Sequence, residues 1–376
     1  MLPPARPHRY GAWMVAGLLV ACGEPSLVRI VDKPPGTSRY APRETALATL
    51  DDLHRLAGGA ASIEVGTTIE IDLSTWPADG GGDRDRFTRG GGTAEPRYIQ
   101  DVDVAVASDY RSLALFTAYA HVETAQRALV DAGATELDDA VRVYFEPDVR
   151  RAAEQGLPTH DNALYFPTLD ALVLMPMEVL TRVPLGMNRG VIAHELAHRA
   201  FYYAAWKGAL FATKERHATT PGATTTVNRI SALDEGLADY LGAYVAADPD
   251  YLSHSTPASL STPRRLDSPR SLDPTWVAGT QPLRADGSYE PFAAGAVIAA
   301  ALWSIGESAG HDVLAPAVLA AERAIAGAIE AGLDYDFGDF ESALATALPL
   351  EARAVACTTF ATSHAAVWSR IVGACP

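Results

Sequence analysis

Residues 191–198 read V-I-A-H-E-L-A-H, and neither proline nor glycine interrupts the chain from 191 to 206. This stretch predicts an α-helix. Positions i and i+4 share one helix face, so His194 and His198 direct their imidazoles at one metal ion, with Glu195 beside them. Such a short motif also arises by chance. Here it lies in an apolar helix, where burying two histidines and a glutamate is costly unless they are used.

A second segment, residues 232–240, reads A-L-D-E-G-L-A-D-Y. Glu235 and Asp239 are again one helical turn apart on the same face. A carboxylate from a second helix converts a two-histidine site into a three-ligand site with an open fourth position. We predict Glu235 as the third ligand, and Asp234 and Asp239 remain alternatives.

An HExxH motif followed by E-x-x-A-D resembles the gluzincin metallopeptidases of the thermolysin and fungalysin branch. The resemblance covers the stretch from His194 to Asp239. It implies one Zn²⁺ ion held by His194, His198 and Glu235, and hydrolysis of peptide bonds by a zinc-activated water with Glu195 as general base. It also implies that Asp239 orients a ligand histidine, since a ligating imidazole usually donates its other N–H to a carboxylate.

Two features depart from the family pattern. Arg199 is charged where such motifs usually carry an uncharged residue, and the spacing from His198 to Glu235 is longer than in thermolysin-like enzymes. The segment 202–228 is therefore predicted to be an excursion beside the cleft. Its residues 217–226 are poor helix formers and predict an exposed loop.

The resemblance also implies a downstream residue that stabilises the oxyanion. Tyr289, ahead of an alanine-rich helix, is the predicted catalytic residue for this role, and His217, His254 and His311 are alternative donors. The metzincin pattern is excluded, because it requires a glycine and a histidine three and six residues after His198. Those positions hold Phe201 and Ala204.

The expected substrate is a peptide or protein, cleaved by a metalloendopeptidase-like hydrolase. The alternative is a non-catalytic surface lipoprotein that retains the zinc scaffold. Retention of Glu195 favours the enzyme, because a structural zinc site does not need this carboxylate. The net charge of −16 repels phosphate backbones, so we expect no nucleic-acid partner.

Residues 1–21 have the features of a signal peptide, with Arg6 and Arg9 ahead of a short apolar run. The run ends in L-V-A-C at residues 19–22, which resembles the bacterial lipoprotein box. The resemblance implies cleavage before Cys22 and a lipid anchor on its sulfur. We expect an exported protein of the cell envelope. Gly23 follows the cysteine, which favours the outer membrane or cell surface over the inner membrane.

Cys357 and Cys375 are the remaining cysteines. An exported chain meets an oxidising compartment, so we predict a disulfide between them.

The expected fold class is α+β and zincin-like, with a strand-containing N-terminal subdomain, a helical C-terminal subdomain and the active site at their junction. The predicted divisions are a tether at 22–43, the first subdomain at 44–186 and the second at 187–376. Periodicity predicts strands at 63–73, 141–145, 163–166 and 171–175. It predicts helices at 47–56, 112–131, 188–206, 230–247, 292–306, 313–330 and 351–371, with a flexible loop at 78–92.

Overall fold

The computed structural model describes residues 25–37, 39–71, 87–151, 160–178, 182–210, 223–285, 287–331 and 334–376. These residues form an α+β fold, as the sequence predicts. The strands are β1 (Leu27–Asp32), β2 (Ala41–Thr45), β3 (Leu50–Asp52), β4 (Ala57–Gly58), β5 (Ala61–Ile71), β6 (Thr88–Thr93), β7 (Tyr98–Asp101), β8 (Val104–Ala107), β9 (Val141–Phe145), β10 (Asp148–Arg151), β11 (Ala163–Phe166) and β12 (Ala171–Leu174). The helices are α1 (Tyr110–Asp131), α2 (Arg189–Ala204), α3 (Ala223–Ala246), α4 (Ala258–Ser261), α5 (Pro291–Ala309), α6 (His311–Glu330), α7 (Phe337–Ala347), α8 (Leu350–Ser363) and α9 (Trp368–Ile371).

The larger sheet has eight strands, and its main path is β11-β12-β9-β5-β4-β3. Strand β5 lies in its middle, and its alternating apolar residues predict a strand with one buried face. Ile63 and Ile69 are buried, and β9 pairs with β5 in parallel. The predicted strand position Leu73 lies outside the described residues. Strand β11 pairs antiparallel with β12 at one end of the path, so β11 is an edge strand.

The helical half begins at Asn188, whose side chain accepts a hydrogen bond from the Gly190 N–H at 3.0 Å and caps α2. Helix α3 packs between α2 and α5. A Cβ on Gly236 would lie 2.6 Å from the Gly295 carbonyl oxygen, so these glycines allow α3 and α5 to approach closely. Within the described ranges, α5 alone is long and apolar enough to cross a membrane, and 67% of that stretch is buried inside the protein.

The predicted helix at 47–56 is wrong. In this segment, residues 50–52 form β3, and a turn then leads into β4, which begins at Ala57. Its leucines are still core residues, since Leu53 and Leu56 are buried. The Thr49 N–H donates to the Glu123 carboxylate of α1, so a neighbouring helix satisfies a backbone group of this segment. Leucine spacing identified the buried positions but not the backbone conformation.

The predicted tether at 22–43 is also wrong from Leu27 onward. Strand β1 joins a four-stranded sheet of order β2-β1-β8-β7, where Val28 and Ile30 are buried. The Val31 N–H donates to Thr117 Oγ1 of α1 at 3.1 Å. Prolines around position 34 indicate a linker, but they occupy only the turn between β1 and β2. In the predicted loop at 78–92, residues 88–92 belong to β6, which pairs with β5; residues 78–86 lie outside the described residues.

Helix α3 begins earlier than predicted, so residues 223–226 are helical and not part of an exposed loop. Thr226 donates to Asp334 at 2.6 Å, and this long-range contact outweighs weak helix propensity. The predicted loop residues 217–222 lie outside the described part. The predicted helix at 351–371 is interrupted after Ser363, where the buried His364 bonds to Glu341 of α7, a helix that periodicity did not identify.

A disulfide joins Cys357 and Cys375, which are 18 residues apart. We expect Cys357→Ser to lower the free energy of unfolding by about 3 kcal/mol, because the open loop gains conformational entropy in the unfolded chain. Urea denaturation of the parent and the variant measures this difference. An unchanged midpoint under oxidising conditions would show that the bond adds no stability.

Candidate metal centre

Helix α2 presents His194, Glu195 and His198 on the face that meets α3 and β11. His194 and Glu195 are buried, and His198 is half-buried. The Nε2 atoms of the two histidines lie 3.0 Å apart. The helical spacing of the motif therefore brings both imidazoles to one point.

Glu235 of α3 reaches the same point. Its Oε2 atom lies 3.8 Å from His194 Nε2 and 3.7 Å from His198 Nε2. This oxygen is buried and has no hydrogen-bond partner among the described residues. Ligands that bind zinc tetrahedrally at its usual bond lengths are about 3.3 Å apart, so the three atoms fit one zinc ion.

Both histidines are held from behind by carboxylates. His194 Nδ1 lies 3.2 Å from Asp239 Oδ1 and 3.2 Å from the hydroxyl of Tyr251, which donates to Asp239 at 3.0 Å. His198 Nδ1 lies 2.6 Å from Asp234 Oδ1. Since each Nδ1 is engaged, each Nε2 is left to face the metal position. Asp234 and Asp239, the alternative third ligands, therefore orient the histidines.

Glu195 is positioned by the edge strand. Its Oε2 atom accepts a hydrogen bond of 2.7 Å from the backbone N–H of Tyr165 in β11. Burial raises the pKa of Glu195 to about 7, although His198 opposes this shift. A carboxyl group of this kind exchanges protons near neutral pH, which is what a general base requires.

The buried groups of the centre have shifted pKa values. Burial raises the pKa of Glu235 to about 7 and lowers the pKa of His194 to about 4. Burial also opposes a charge on His198, but Asp234 and Glu235 outweigh it and raise the pKa of His198 to about 10. Four carboxyl groups thus lie around two imidazoles and one guanidinium, and a divalent cation would stabilise the carboxylates in their charged forms.

The centre opens into a cavity of about 670 Å³. One wall is the edge strand, with Ala163 and Tyr165, and the other is the segment 256–264. No described strand pairs with the free side of β11. Along a strand, the N–H and C=O groups of successive residues point to opposite sides, so residues two apart point to the same side. The backbone groups of Ala163 therefore face the cavity, as the Tyr165 N–H does.

Arg264, which the sequence did not indicate, lines this cavity. Its guanidinium donates to both oxygens of Asp239, at 2.9 and 2.6 Å, and lies 3.7 Å from Glu235 Oε2. It also stacks over the ring of Phe292, with Cζ 4.7 Å from the ring centroid. Arg264 ends a short 3-10 helix, Thr262–Arg264, which contains a proline, and no local pattern there marks an arginine as part of a site.

Tyr289, the predicted oxyanion-stabilising residue, is not brought to the centre. It does not line the cavity, and its hydroxyl is buried with no partner among the described residues. It packs against the core at the start of α5 because its neighbour Glu290 caps that helix and faces the cavity instead. Among the alternative donors, His254 contacts Lys33 and Asp248, His311 contacts Glu307, and His217 lies outside the described residues.

No protein-family model matches the chain, and no curated protein has a significantly similar sequence. One solved structure that the chain resembles is the precursor of protealysin, a metalloproteinase from Serratia proteamaculans. The identity is 10%, the TM-score is 0.47, and the match covers 84% of this chain and 91% of that chain. It describes a distant similarity of shape, and the chemistry of the centre follows from its own side chains.

Proposed function

We propose that this protein is a zinc-dependent metallopeptidase of the gluzincin type. The observation that carries the proposal is the convergence of His194 Nε2, His198 Nε2 and the unpartnered Glu235 Oε2 in a cavity that also holds Glu195. A structural zinc site is closed by four protein ligands, whereas three ligands beside a cavity leave a position for substrate.

The free edge of β11 supports a peptide as the substrate. An extended peptide adds to an exposed strand edge through main-chain hydrogen bonds, and Ala163 faces the cavity with its backbone groups. The strand would hold the peptide beside Glu195, because the same strand donates the Tyr165 N–H to that carboxylate. This arrangement suits an unfolded segment better than a folded domain.

The roles of the residues follow from their positions. His194, His198 and Glu235 would hold zinc, which when bound polarises the peptide carbonyl and lowers the pKa of water at the site. Glu195 accepts the proton of the attacking water and delivers it to the leaving amine. We assign to Arg264, and no longer to Tyr289, the stabilisation of negative charge on the substrate carbonyl oxygen.

Metal analysis combined with peptide cleavage tests this function. We expect the purified full-length chain to contain one zinc ion and to hydrolyse a mixed peptide library. A chelator should abolish hydrolysis and added zinc should restore it. Stoichiometric zinc without hydrolysis would indicate the non-catalytic zinc scaffold, and absence of bound metal would contradict both functions.

We also propose that the protein is exported and anchored to the cell envelope through Cys22. Residues 1–24 lie outside the described part of the chain, but the Cys357–Cys375 disulfide supports an oxidising compartment. Cys22→Ser should move the protein out of the membrane fraction or leave the signal uncleaved. An unchanged membrane fraction would refute the lipid assignment.

A further inference from the structure

Arg199 follows the second metal-binding histidine and is a buried charge that the metal site does not use. Its side chain, 3% exposed, points away from the cavity. The guanidinium makes a two-pronged ion pair with Asp170, from Nε to Oδ1 at 2.9 Å and from Nη2 to Oδ2 at 3.2 Å. Its third nitrogen, Nη1, donates to the Asp139 carbonyl at 3.1 Å. All three nitrogens of the fork are thus engaged.

Asp170 lies in the turn that connects the edge strand β11 to β12. Its backbone is in the left-handed region, with φ 42° and ψ 56°. A non-glycine residue is uncommon there, although aspartate tolerates it better than most. The hydroxyl of Tyr165 also donates to Asp170 Oδ1, at 3.0 Å. Asp170 therefore joins the metal-binding helix to both the turn and the edge strand.

Tyr165 connects this ion pair to the centre. Its side chain is bound by Asp170, while its backbone N–H is bound by Glu195. Arg199 and Glu195 are one helical turn apart on α2, so the helix and the strand meet at two points. A shift of β11 relative to α2 would change the position of Glu195 and of the strand edge together.

Only the Arg199 member of this ion pair is buried, since the Asp170 side chain is 40% exposed. The pair contributes little net stability, because desolvation of the guanidinium offsets most of the attraction. Its two-pronged geometry does, however, define a distance and an orientation. We propose that Arg199 and Asp170 are positioning residues, which hold the substrate-binding edge of β11 at a set distance from the metal-binding helix. This inference rests on the proposed peptidase function.

Arg199→Lys tests the inference, because lysine retains the charge but loses the planar fork. We expect unchanged zinc content and a fall in kcat/KM of about 10- to 100-fold, since a displacement near 1 Å has effects of that order. Both KM and kcat should change, because the strand edge and Glu195 move together. Asp170→Asn should give a similar loss, and the double variant should be no worse than either single variant.

Arg189→Lys is the matched control. Arg189 opens the same helix and pairs with Asp32 at 3.2 Å, but does not line the cavity. We expect it to reduce thermal stability comparably and to leave kcat/KM within about twofold of the parent. If Arg199→Lys and Arg189→Lys have equal kcat/KM, the Arg199–Asp170 ion pair only stabilises the fold and has no positioning role.

Hydrogen exchange separates this inference from the peptidase proposal. The backbone amides of 163–166 should exchange faster in Arg199→Lys than in the parent, and Arg189→Lys should leave them unchanged. If the parent hydrolyses no peptide, the peptidase proposal fails while the exchange still reports on the strand. Unchanged exchange at 163–166 in Arg199→Lys would overturn the positioning role.

Discussion

Glu195→Gln is expected to leave zinc bound and to lower kcat for peptide hydrolysis by about 10²- to 10⁴-fold, the usual contribution of a general base. Glutamine has the shape of glutamate and keeps an oxygen that accepts the Tyr165 N–H. It lacks the basicity to accept a proton. Single-turnover hydrolysis and metal analysis on the same preparation measure the two properties separately.

Glu123→Gln is the matched control for this variant. Glu123 is also a buried glutamate on a helix, but it lies in α1, accepts the Thr49 backbone N–H and does not line the cavity. We expect its hydrolysis rate to equal that of the parent. Full activity in Glu195→Gln would exclude the proposed proton transfer, whereas loss of zinc would show that Glu195 holds the metal site together.

Glu235→Ala is expected to lose zinc and activity together, because only two protein ligands remain. Asp234→Ala provides the comparison at the adjacent position. Asp234 contacts His198 Nδ1 and does not face the metal position, so its removal should weaken zinc binding by only about 10- to 100-fold. Zinc competition titrations measure both affinities.

The order of these two effects decides the ligand assignment. If Asp234→Ala loses zinc while Glu235→Ala retains it, the third ligand is Asp234 and the match to the E-x-x-A-D pattern is coincidental. The gluzincin assignment would then be withdrawn, leaving the two histidines and Glu195. If Glu235→Asp binds zinc where Glu235→Ala does not, the carboxylate at position 235 is a direct zinc ligand.

Local sequence patterns were sufficient for the elements that carry the centre. The spacing of His194 and His198 defines one face of α2, and Glu235 and Asp239 define one face of α3, because helix geometry relates residues four apart without help from the rest of the chain. The alternation in β5 is equally local. Such patterns predict which side chains share a face.

Other features depend on residues that are distant in the sequence. Leu53 and Leu56 are buried in the core without a helix of their own, and β1 pairs with β8 and bonds to Thr117. Arg264 joins the centre only because Asp239 binds it across a loop. Tyr289 does not line the cavity, because its neighbour Glu290 caps α5 and faces the cavity in its place.

The sequence by itself determined which side chains are available to this centre: two imidazoles and the carboxylates beside them on two helices. Only the tertiary structure decided how these groups are used. Which carboxylate meets the metal position and which supports a histidine depends on how α3 packs against α2 and α5, through the close approach of Gly236 and Gly295. The distances between these carboxylates and the histidines depend on contacts between residues far apart in the sequence, so local sequence patterns do not predict them.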